Sequence, residues 1–468
     1  MATKKELLQA QAFSRRRLLT AFVAGAPGGR ELEPSSPLRG VIAGTVIAVL
    51  VIGVSFVVGL FNRGLPSGWD DGSLVLVTDS GTRYITSNGE LIPITNVASA
   101  RLVLPPDAPV IRASADDLEG VTRREEVGIL GAPDAIPDTG TLIADGWQAC
   151  LAEGGAVATT LETVPEPEPE PVALAETATL VRVASTDDLV LVQGSTRHLV
   201  PDTRERQGIL RALGFVPEDA VEASAQWLAL FTEGDPVQPF EIDGSGDAVP
   251  GALASVPGIS VGSVVQPTGN TWTYLVTADG EFARLTPFAQ TIYQLGPGEE
   301  RAVVPVSAAQ VASVGEVGPE VSPVPQEWPE GVVSSELGIP CALLDTAAFR
   351  TTLTMQPFPA DDNSSAEEPE PMSAGVWVSP GAGALARFSG GPDNDGGVVR
   401  LIDENGTAYP VTADGEVPMP ETLSRLLGSD PVPIPVPVPY AWGELFTSGP
   451  ELSVEAAGSP THPEPEVP

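Results

Sequence analysis

The longest apolar run of the chain lies near its N-terminus, between Gly40 and Phe61. The run reads GVIAGTVIAVLVIGVSFVVGLF and has no charged residue; its polar side chains, Thr45 and Ser55, can each bond to a carbonyl one helical turn earlier. As an α-helix it would be about 33 Å long, enough to cross a hydrocarbon core of about 30 Å. The pattern predicts one transmembrane helix over 40–61, and a buried core helix is the alternative.

Small residues recur along one face of this predicted span, at Gly40, Gly44 and Ala48. A spacing of four residues places them on one side of a helix, where a second helix can approach closely. We therefore expect a specific helix–helix contact there, although glycine is common in membrane helices anyway.

Residues 3–24, TKKELLQAQAFSRRRLLTAFVA, predict a second helix, which Pro27-Gly28-Gly29 ends. Leu8, Ala12, Leu19, Phe22 and Val23 are assigned to one face, and Arg15 and Arg16 to another. A basic amphipathic helix beside a span can contact a partner protein or anionic lipid, or only supply positive charge. The residues predicted to make this contact are Arg15, Arg16, Arg17, Leu19 and Phe22.

Basic residues are concentrated before the predicted span, and only Arg63 follows it closely. The positive-inside bias predicts an inner-membrane protein with a cytoplasmic N-terminus and with residues 63–468 in the periplasm. A cleaved signal peptide fits poorly because the run is too long and no A-x-A-like site follows. Residues 14–19, SRRRLL, suggest a twin-arginine signal, but its apolar tail stops at Gly25.

A local pattern of two β-rich runs separated by a turn occurs four times after the span, at 74–85, 189–200, 273–285 and 398–411. Each copy is followed by a short predicted helix, at 96–102, 206–213, 288–295 and 421–427. Copies two and four also share WLALFTEG at 227–234 and WGELFTSG at 442–449. These two copies are therefore expected in equivalent places of a pseudo-symmetric assembly; chance similarity of short β-rich runs is the alternative.

The patterns together predict an α+β protein with four hairpin-plus-helix repeats around a central domain clamped by one disulfide. The predicted boundaries are 1–39 for a cytoplasmic helix and basic segment, 40–61 for the span, 62–104, 181–240, 241–299 and 398–457 for the repeats, 105–160 and 300–350 for the central domain, 161–180 for a Pro/Glu linker, 351–397 for a loop-rich insertion and 458–468 for a disordered tail. Proline-rich 431–439, PVPIPVPVP, is either a strap on the fold or a ligand for an aromatic groove.

Charge and cysteine content limit the possible functions. The net charge is −38, which disfavours a phosphate-binding surface, so no nucleic-acid partner is expected. Cys150 and Cys341 are the only cysteines and fall on the predicted oxidising side, so a disulfide is expected, with two buried thiols as the alternative. Such a bridge would contribute roughly 4–5 kcal/mol in the chain-entropy model.

No catalytic, cofactor or metal site is predicted. His198 is expected at the surface of a hairpin and His462 in the proline-rich tail, and neither has a partner at metal-ligand spacing. The sequence has no GxxxxGK[ST] motif. Residues 381–386, GAGALA, imitate a dinucleotide-binding loop in a loop-rich region, and residues 393–397, DNDGG, are interpreted as a solvated turn rather than a calcium loop.

The N-terminal residues 2–34 resemble EccB, the membrane component of type VII (ESX) secretion machinery. The resemblance continues through residues 74–91, 127–137 and 449–456 and both cysteines. It implies a single-pass protein with a four-repeat exterior and one disulfide, which self-associates in a channel complex with EccC, EccD and EccE. Family members often carry an ATPase label, so an ATP-binding hydrolase is one alternative function, and a cell-wall-binding module is another.

Overall fold

The structure is a computed structural model. It describes residues 3–24, 37–61, 65–162, 178–296, 302–329, 338–356, 373–393, 396–415 and 417–461, with side chains of the second helix described at positions 40–54. The chain divides into two compact units, Met1–Leu65 and Pro66–Pro468. Several predictions lie outside the described residues, namely those for 27–29, Arg63, 164–171, 361–371 and His462, and for the side chains of Val23 and Ser55.

The first unit contains two helices, α1 (Lys4–Ala24) and α2 (Pro37–Phe61). At the start of α1 the Thr3 N–H donates to the Glu6 carboxylate at 2.8 Å, which satisfies one donor of the first turn. In α2 the Thr45 hydroxyl donates to the Val41 carbonyl at 2.9 Å, as the sequence predicts. Within the residues that the structure describes in full, no helix is both long and apolar enough to cross a membrane.

The second unit combines short strands and short helices, which confirms the predicted α+β class. Its first half contains β1 (Leu74–Val77), β2 (Arg83–Ser87), β3 (Glu90–Pro93), α3 (Val97–Val103), β4 (Val110–Ala113), β5 (Trp147–Leu151), β6 (Val157–Leu161), β7 (Ala178–Val183), β8 (Leu189–Gln193), β9 (Thr196–Val200), α4 (Arg206–Ala212), β10 (Val221–Ala223), α5 (Ala225–Leu228) and β11 (Thr232–Gly234).

The second half of this unit has the same mixture of short elements. They are β12 (Val264–Pro267), β13 (Thr273–Val276), β14 (Phe282–Leu285), α6 (Pro287–Gln294), β15 (Val303–Val306), α7 (Ala308–Val311), β16 (Ile339–Asp345), β17 (Arg350–Gln356), β18 (Gly375–Val378), β19 (Ala384–Ser389), β20 (Val398–Ile402), β21 (Thr407–Pro410), α8 (Met419–Leu427), β22 (Val436–Pro439), α9 (Tyr440–Gly443), β23 (Thr447–Ser448) and α10 (Val454–Gly458).

Four of the sheets share one topology, and each forms a lobe. An antiparallel three-stranded meander leads into a helix, and the chain then returns parallel to the first strand, because a parallel neighbour requires such a crossover. The sheet orders are β3-β2-β1-β4 in lobe 1, β10-β7-β8-β9-β11 in lobe 2, β14-β13-β12-β15 in lobe 3 and β22-β19-β20-β21-β23 in lobe 4. Lobes 2 and 4 add a fifth strand parallel to the third.

This unit is larger than the predicted hairpin plus helix. The hairpins predicted in the second, third and fourth copies join the second and third strands of each meander, whereas the one predicted at 74–85 joins the first and second. The equivalent turn of lobe 1 is Asn88-Gly89, where both residues have positive φ. The sequence pattern does not predict the first strands of lobes 2 to 4; five residues separate β7 from β8 and β12 from β13, and eight separate β19 from β20.

The fifth sheet is central and has the order β17-β16-β5-β6-β18. It holds both cysteines, but the predicted boundaries need correction. Strands β4 and β15 lie in the ranges 105–160 and 300–350 yet pair within lobes 1 and 3. The predicted insertion 351–397 contains β18, β19 and most of β17, and the predicted linker 161–180 contains the start of β7. The pairing partner of β18 is the distant strand β6, so no local pattern marks β18, whereas β17 forms a hairpin with the preceding β16.

Three hydrophobic clusters connect these sheets. One joins lobes 2 and 3, one joins the central sheet to lobes 2 and 4, and one joins lobes 1 and 4. Both edges of the central sheet are met by turns: the Gly194 carbonyl accepts the Leu353 N–H at 2.7 Å, and Gly406 packs against Val376. Edge strands that are covered in this way are protected from pairing with other chains.

Two proline-rich segments are ordered against the body. Residues 436–439 form β22 and pair in parallel with β19, so the segment predicted as strap or ligand is a strap on the fold. The predicted disordered tail is wrong at its beginning, because Thr461 donates its N–H to the Glu126 carbonyl at 3.1 Å and Gly128 donates to Ser459 at 3.1 Å. These two backbone bonds attach the tail to the chain beyond lobe 1.

Candidate functional site

The exposed side chains of α1 include all the residues predicted to contact a partner or lipid. Phe22 is 93% exposed and Leu19 is 59% exposed, and the three arginines are exposed as well. The predicted separation of faces is wrong, however. Arg15 precedes Leu19 by one helical turn and therefore lies on the same face. Basic and apolar residues are thus interspersed around α1, which suits a mixed protein contact better than deep lipid insertion.

The small-residue face of α2 is open in the described structure. A Cβ built on Gly40 or Gly44 meets no heavy atom within 4 Å, and Ala48 is exposed one turn further. Gly53 has the same open surroundings. The face can accept a close-packed helix, because no side chain there keeps a neighbouring backbone away.

The predicted disulfide is present and lies inside the central sheet. Cys150 on β5 pairs with Cys341 on β16 in the antiparallel register, with an S–S distance of 2.07 Å. Both residues are buried. The bond therefore joins strands that are 191 positions apart in the sequence at the middle of the body.

Lobes 2 and 4 each insert one tryptophan beside this sheet. The indole N–H of Trp227 donates to the Ala149 carbonyl at 2.9 Å, and that of Trp442 donates to the Thr351 hydroxyl at 2.9 Å. Both indoles are fully buried in the same hydrophobic cluster, with Trp147 6.3 Å from Trp442 in an edge-on arrangement. The shared WLALFTEG and WGELFTSG segments therefore occupy corresponding positions in their lobes, with α5 directly before β11 and α9 directly before β23, and each places a tryptophan beside the central sheet.

The final glycine of each shared segment faces a ring. Gly234 lies opposite His198 in the β9–β11 pair, and Gly449 lies against the ring of Tyr409 on β21. A side chain at either glycine would overlap the ring. Tyr409 donates its hydroxyl to Asp403 at 3.2 Å, and burial followed by the charge of Asp403 raises the pKa of its phenol.

His198 is buried, which corrects the predicted surface position. The absence of a side chain at Gly234 makes room for the imidazole, and its Nδ1 lies 2.8 Å from the Asp235 carbonyl. Burial lowers the pKa of His198 below its ordinary value near 6.5, against the opposing effects of the bond to Asp235 and the charges of Glu327 and Asp235. A neutral ring that donates from Nδ1 fits this environment.

The other candidate motifs have structural explanations. Residues 384–386 of the dinucleotide-like GAGALA belong to β19, so the motif leads into a strand rather than opening a helix. The DNDGG turn lies partly outside the described residues. Across the described ranges, no three His, Cys, Asp or Glu side chains are grouped so that they could hold a metal ion.

A groove that the sequence did not predict lies where lobe 2 meets the segment after α7. Its walls are residues 235–240 and 319–328, and its volume is about 590 Å³. The Trp328 indole N–H donates to the Asp235 carbonyl at 3.2 Å, so the carbonyl bound by His198 also fixes one wall. Two stretches about eighty positions apart build the groove, so no local motif could have revealed it.

Comparison with known proteins finds one family model and several relatives that match this chain. The family model described as "Type VII secretion system ESX-1, transport TM domain B" matches residues 1–462. The chain is 28% identical over 282 residues to a protein named ESX-5 secretion system ATPase EccB5 of Mycobacterium tuberculosis, covering 56% of this chain and 53% of that protein. It is 35% identical over 101 residues to one named ESX-1 secretion system ATPase EccB1, from the same species, covering 21% and 20%. This chain thus spans about half the length of the first relative and about a fifth of the second.

Solved structures show the same fold at low sequence identity. A chain from an intact ESX-5 inner membrane complex superposes with a TM-score of 0.61 at 19% identity, covering 100% of this chain and 98% of that one. An EccB3 dimer from the ESX-3 core complex gives a TM-score of 0.60 at 18% identity, covering 83% and 100%. With the family model matched from residue 1 to residue 462, the chain belongs to the EccB family of type VII secretion proteins.

Proposed function

We propose that this chain is a structural, single-pass subunit of an inner-membrane type VII secretion complex and supports protein export as a scaffold. The supporting observation is the match of the whole chain to one fold that is found in an intact ESX-5 inner membrane complex. The mutually packed lobes fit a scaffold, because large surfaces and a fixed core serve assembly rather than chemistry.

The proposed anchor is α2, with the N-terminus in the cytoplasm and the lobes in the periplasm. The helix is 25 residues long and has no acidic residue in its first turn and no basic residue in its last. At ~1.5 Å per residue it would be about 37 Å long, more than a bilayer core requires. The basic residues before it support this orientation, and a disulfide in the body is typical of an oxidising compartment.

Two surfaces of the first unit would make the contacts within the membrane complex. Arg15, Arg16, Arg17, Leu19 and Phe22 on α1 would contact EccC, EccD or EccE, or the headgroups of anionic lipid. The face of Gly40, Gly44 and Ala48 would pack against another membrane helix. Self-association is part of the proposal, since a family relative has been solved as a dimer.

The body is proposed to consist of four copies of one βββαβ repeat around the central sheet. The shared sheet order and the corresponding tryptophans of lobes 2 and 4 support common ancestry of the units. The proposal needs no cofactor and no nucleic acid. An ATP-binding hydrolase is the rival function because relatives carry ATPase in their names.

Co-purification from detergent-solubilised membranes tests the proposal. The full chain should elute with the other membrane components, and elution as a free monomer would contradict the scaffold role. Deleting residues 1–24 should release the chain from its partners and leave it in the membrane fraction. The matched variants are Arg15→Gln/Arg16→Gln, which should weaken co-purification, and Lys4→Gln/Lys5→Gln, which should not.

A direct assay separates the rival function. ATP hydrolysis that follows the purified chain through gel filtration, and that a point mutation in the periplasmic body abolishes, would favour an enzyme. Activity that separates from the chain during purification would come from a partner component.

A further inference from the structure

The scaffold role makes no use of the groove between residues 235–240 and 319–328. Its volume of about 590 Å³ is within the usual range for sites that bind small molecules or parts of peptides. The groove belongs to the second unit alone, so its capacity to bind a ligand does not depend on membership of a secretion complex.

The base of the groove is fixed by contacts with both neighbouring lobes. Trp328 is 5% exposed, and its ring meets Phe240 and Phe288 edge-on with centroids 5.7 and 5.6 Å away. Phe240 in turn lies 5.0 Å from the ring of Tyr293. These contacts, with the indole bond to the Asp235 carbonyl, hold the two walls at a constant separation.

The walls are stiff because five of the lining residues are prolines. They are Pro236, Pro239, Pro319, Pro323 and Pro325. Each proline ring fixes φ near −65° and leaves the chain extended or in a turn. A groove made of such segments loses little conformational entropy when it is occupied, so weak individual contacts suffice for binding.

The charge of the lining selects the occupant. Asp235, Glu320 and Glu327 are exposed and line the groove, and its described lining includes no Lys, Arg or His. None of the three takes part in an ion pair in the described part of the chain. A cationic occupant would be attracted, and an anionic one repelled.

The undescribed segments of the second unit do not supply such an occupant. Between residues 163 and 468 these segments contain one Lys or Arg, Arg301, which follows Glu299 and Glu300. From the preformed groove and its uncompensated charge, we propose that the groove binds an extended segment of another protein that carries lysine or arginine side chains.

Fluorescence anisotropy on the full chain in detergent micelles tests this proposal. The probe is a fluorescein-labelled peptide of alternating lysine and serine, and its glutamate–serine counterpart is the comparison. Replacing Asp235→Asn, Glu320→Gln and Glu327→Gln together removes the three exposed ion pairs that the groove would form with the lysines of the peptide. This triple variant should bind roughly tenfold more weakly. The control removes the same charge from exposed residues of lobe 1, with Asp107→Asn, Asp116→Asn and Glu119→Gln, and should leave the Kd within about twofold.

A second measurement locates the peptide. His198 Nδ1 bonds to the carbonyl of the groove residue Asp235, so its imidazole NMR signal in a histidine-labelled chain should shift with the same Kd as the anisotropy, and His462→Ala identifies which signal it is. Equal weakening by both triple variants would mean that the peptide follows bulk charge. That result, absence of binding by the natural chain, or binding without movement of the His198 signal would each overturn the proposal.

Discussion

The substitution Gly234→Ala tests how the His198 ring packs against β11. A methyl group on Gly234 would lie 2.6 Å from Cε1 and 2.9 Å from Nδ1 of the imidazole, and 2.6 Å from Cγ2 of Thr196, closer than van der Waals contact allows. The ring is buried, and its Nδ1 bond to the Asp235 carbonyl opposes its displacement. The added methyl must therefore shift the ring, the strand or both.

The size of the effect depends on opposing terms. Replacing a glycine reduces the freedom of the unfolded chain and stabilises by about 0.4–1 kcal/mol when the native backbone accepts a side chain. At Gly234, overpacking costs about 1–3 kcal/mol, and a displaced buried hydrogen bond costs about 1 kcal/mol more. The net expectation is a loss of about 1–3 kcal/mol in the local opening free energy of lobe 2.

Gly208→Ala in α4 is the matched control, because the same chemical change meets only Leu295 Cδ2, at 3.8 Å. An alanine in that helix should stabilise by about 0.5–1 kcal/mol. Hydrogen exchange of the Val237 amide, which bonds to the Leu199 carbonyl at 2.8 Å, reports on the pairing of lobe 2. Gly234→Ala should speed its exchange by about 5- to 150-fold, and Gly208→Ala should slow it.

The result that would refute the reasoning is equal protection in both variants. A double-mutant cycle isolates the ring contact: in a His198→Ala background the imidazole is gone and the Thr196 contact remains, so Gly234→Ala should lose part of its cost. A cost that persists undiminished in that background would place the clash somewhere other than the imidazole.

Three further predictions concern the buried tryptophans, the disulfide and the pH dependence of His198. Trp442→Phe should destabilise more than Trp147→Phe by about 1 kcal/mol in denaturant unfolding, because only the first indole N–H has a hydrogen-bond partner, and equal losses would contradict this. Replacing Cys150 and Cys341 by serine should lower stability by up to roughly 5 kcal/mol, measured against the natural chain with and without reductant, and a wild-type unfolding midpoint would count against the clamp. Because burial holds the pKa of His198 below 6.5, its contribution to stability is complete above that pH and is lost as the pH falls through its folded value; exchange protection of lobe 2 should therefore fall as the pH is lowered below 6.5, and His198→Gln should flatten this fall.

The parts of the fold that the sequence predicts correctly have local causes. Glycine-containing turns such as Asn405-Gly406 mark the hairpins, and the helix predicted at 206–213 is observed at Arg206–Ala212. The disulfide is also predicted correctly, because the chain has only two cysteines. In each case, residues within a few positions of one another, or a unique residue type, carry the information.

The parts that were missed depend on partners far away in the sequence. Strand β18 pairs in parallel with β6, more than two hundred positions earlier, so no turn residue announces it. His198 reads as a surface residue of a hairpin until Gly234 is placed opposite it. Residues 319–328 fall within the range predicted as central domain, and only their packing against residues 235–240 makes them a groove wall.

The bond between Cys150 and Cys341 also determines how the body carries mechanical load. Tension applied between Pro66 and Thr461 would pass through the disulfide bond. The residues between the two cysteines, which are 191 positions apart in the sequence, would therefore not carry it. Lobes 2 and 3 are in that shielded loop, whereas lobes 1 and 4 are in series with the pull. If protein export applies force to the body, lobes 1 and 4 would therefore be stretched while lobes 2 and 3 carry no load. Reduction of the disulfide would place all four lobes in series.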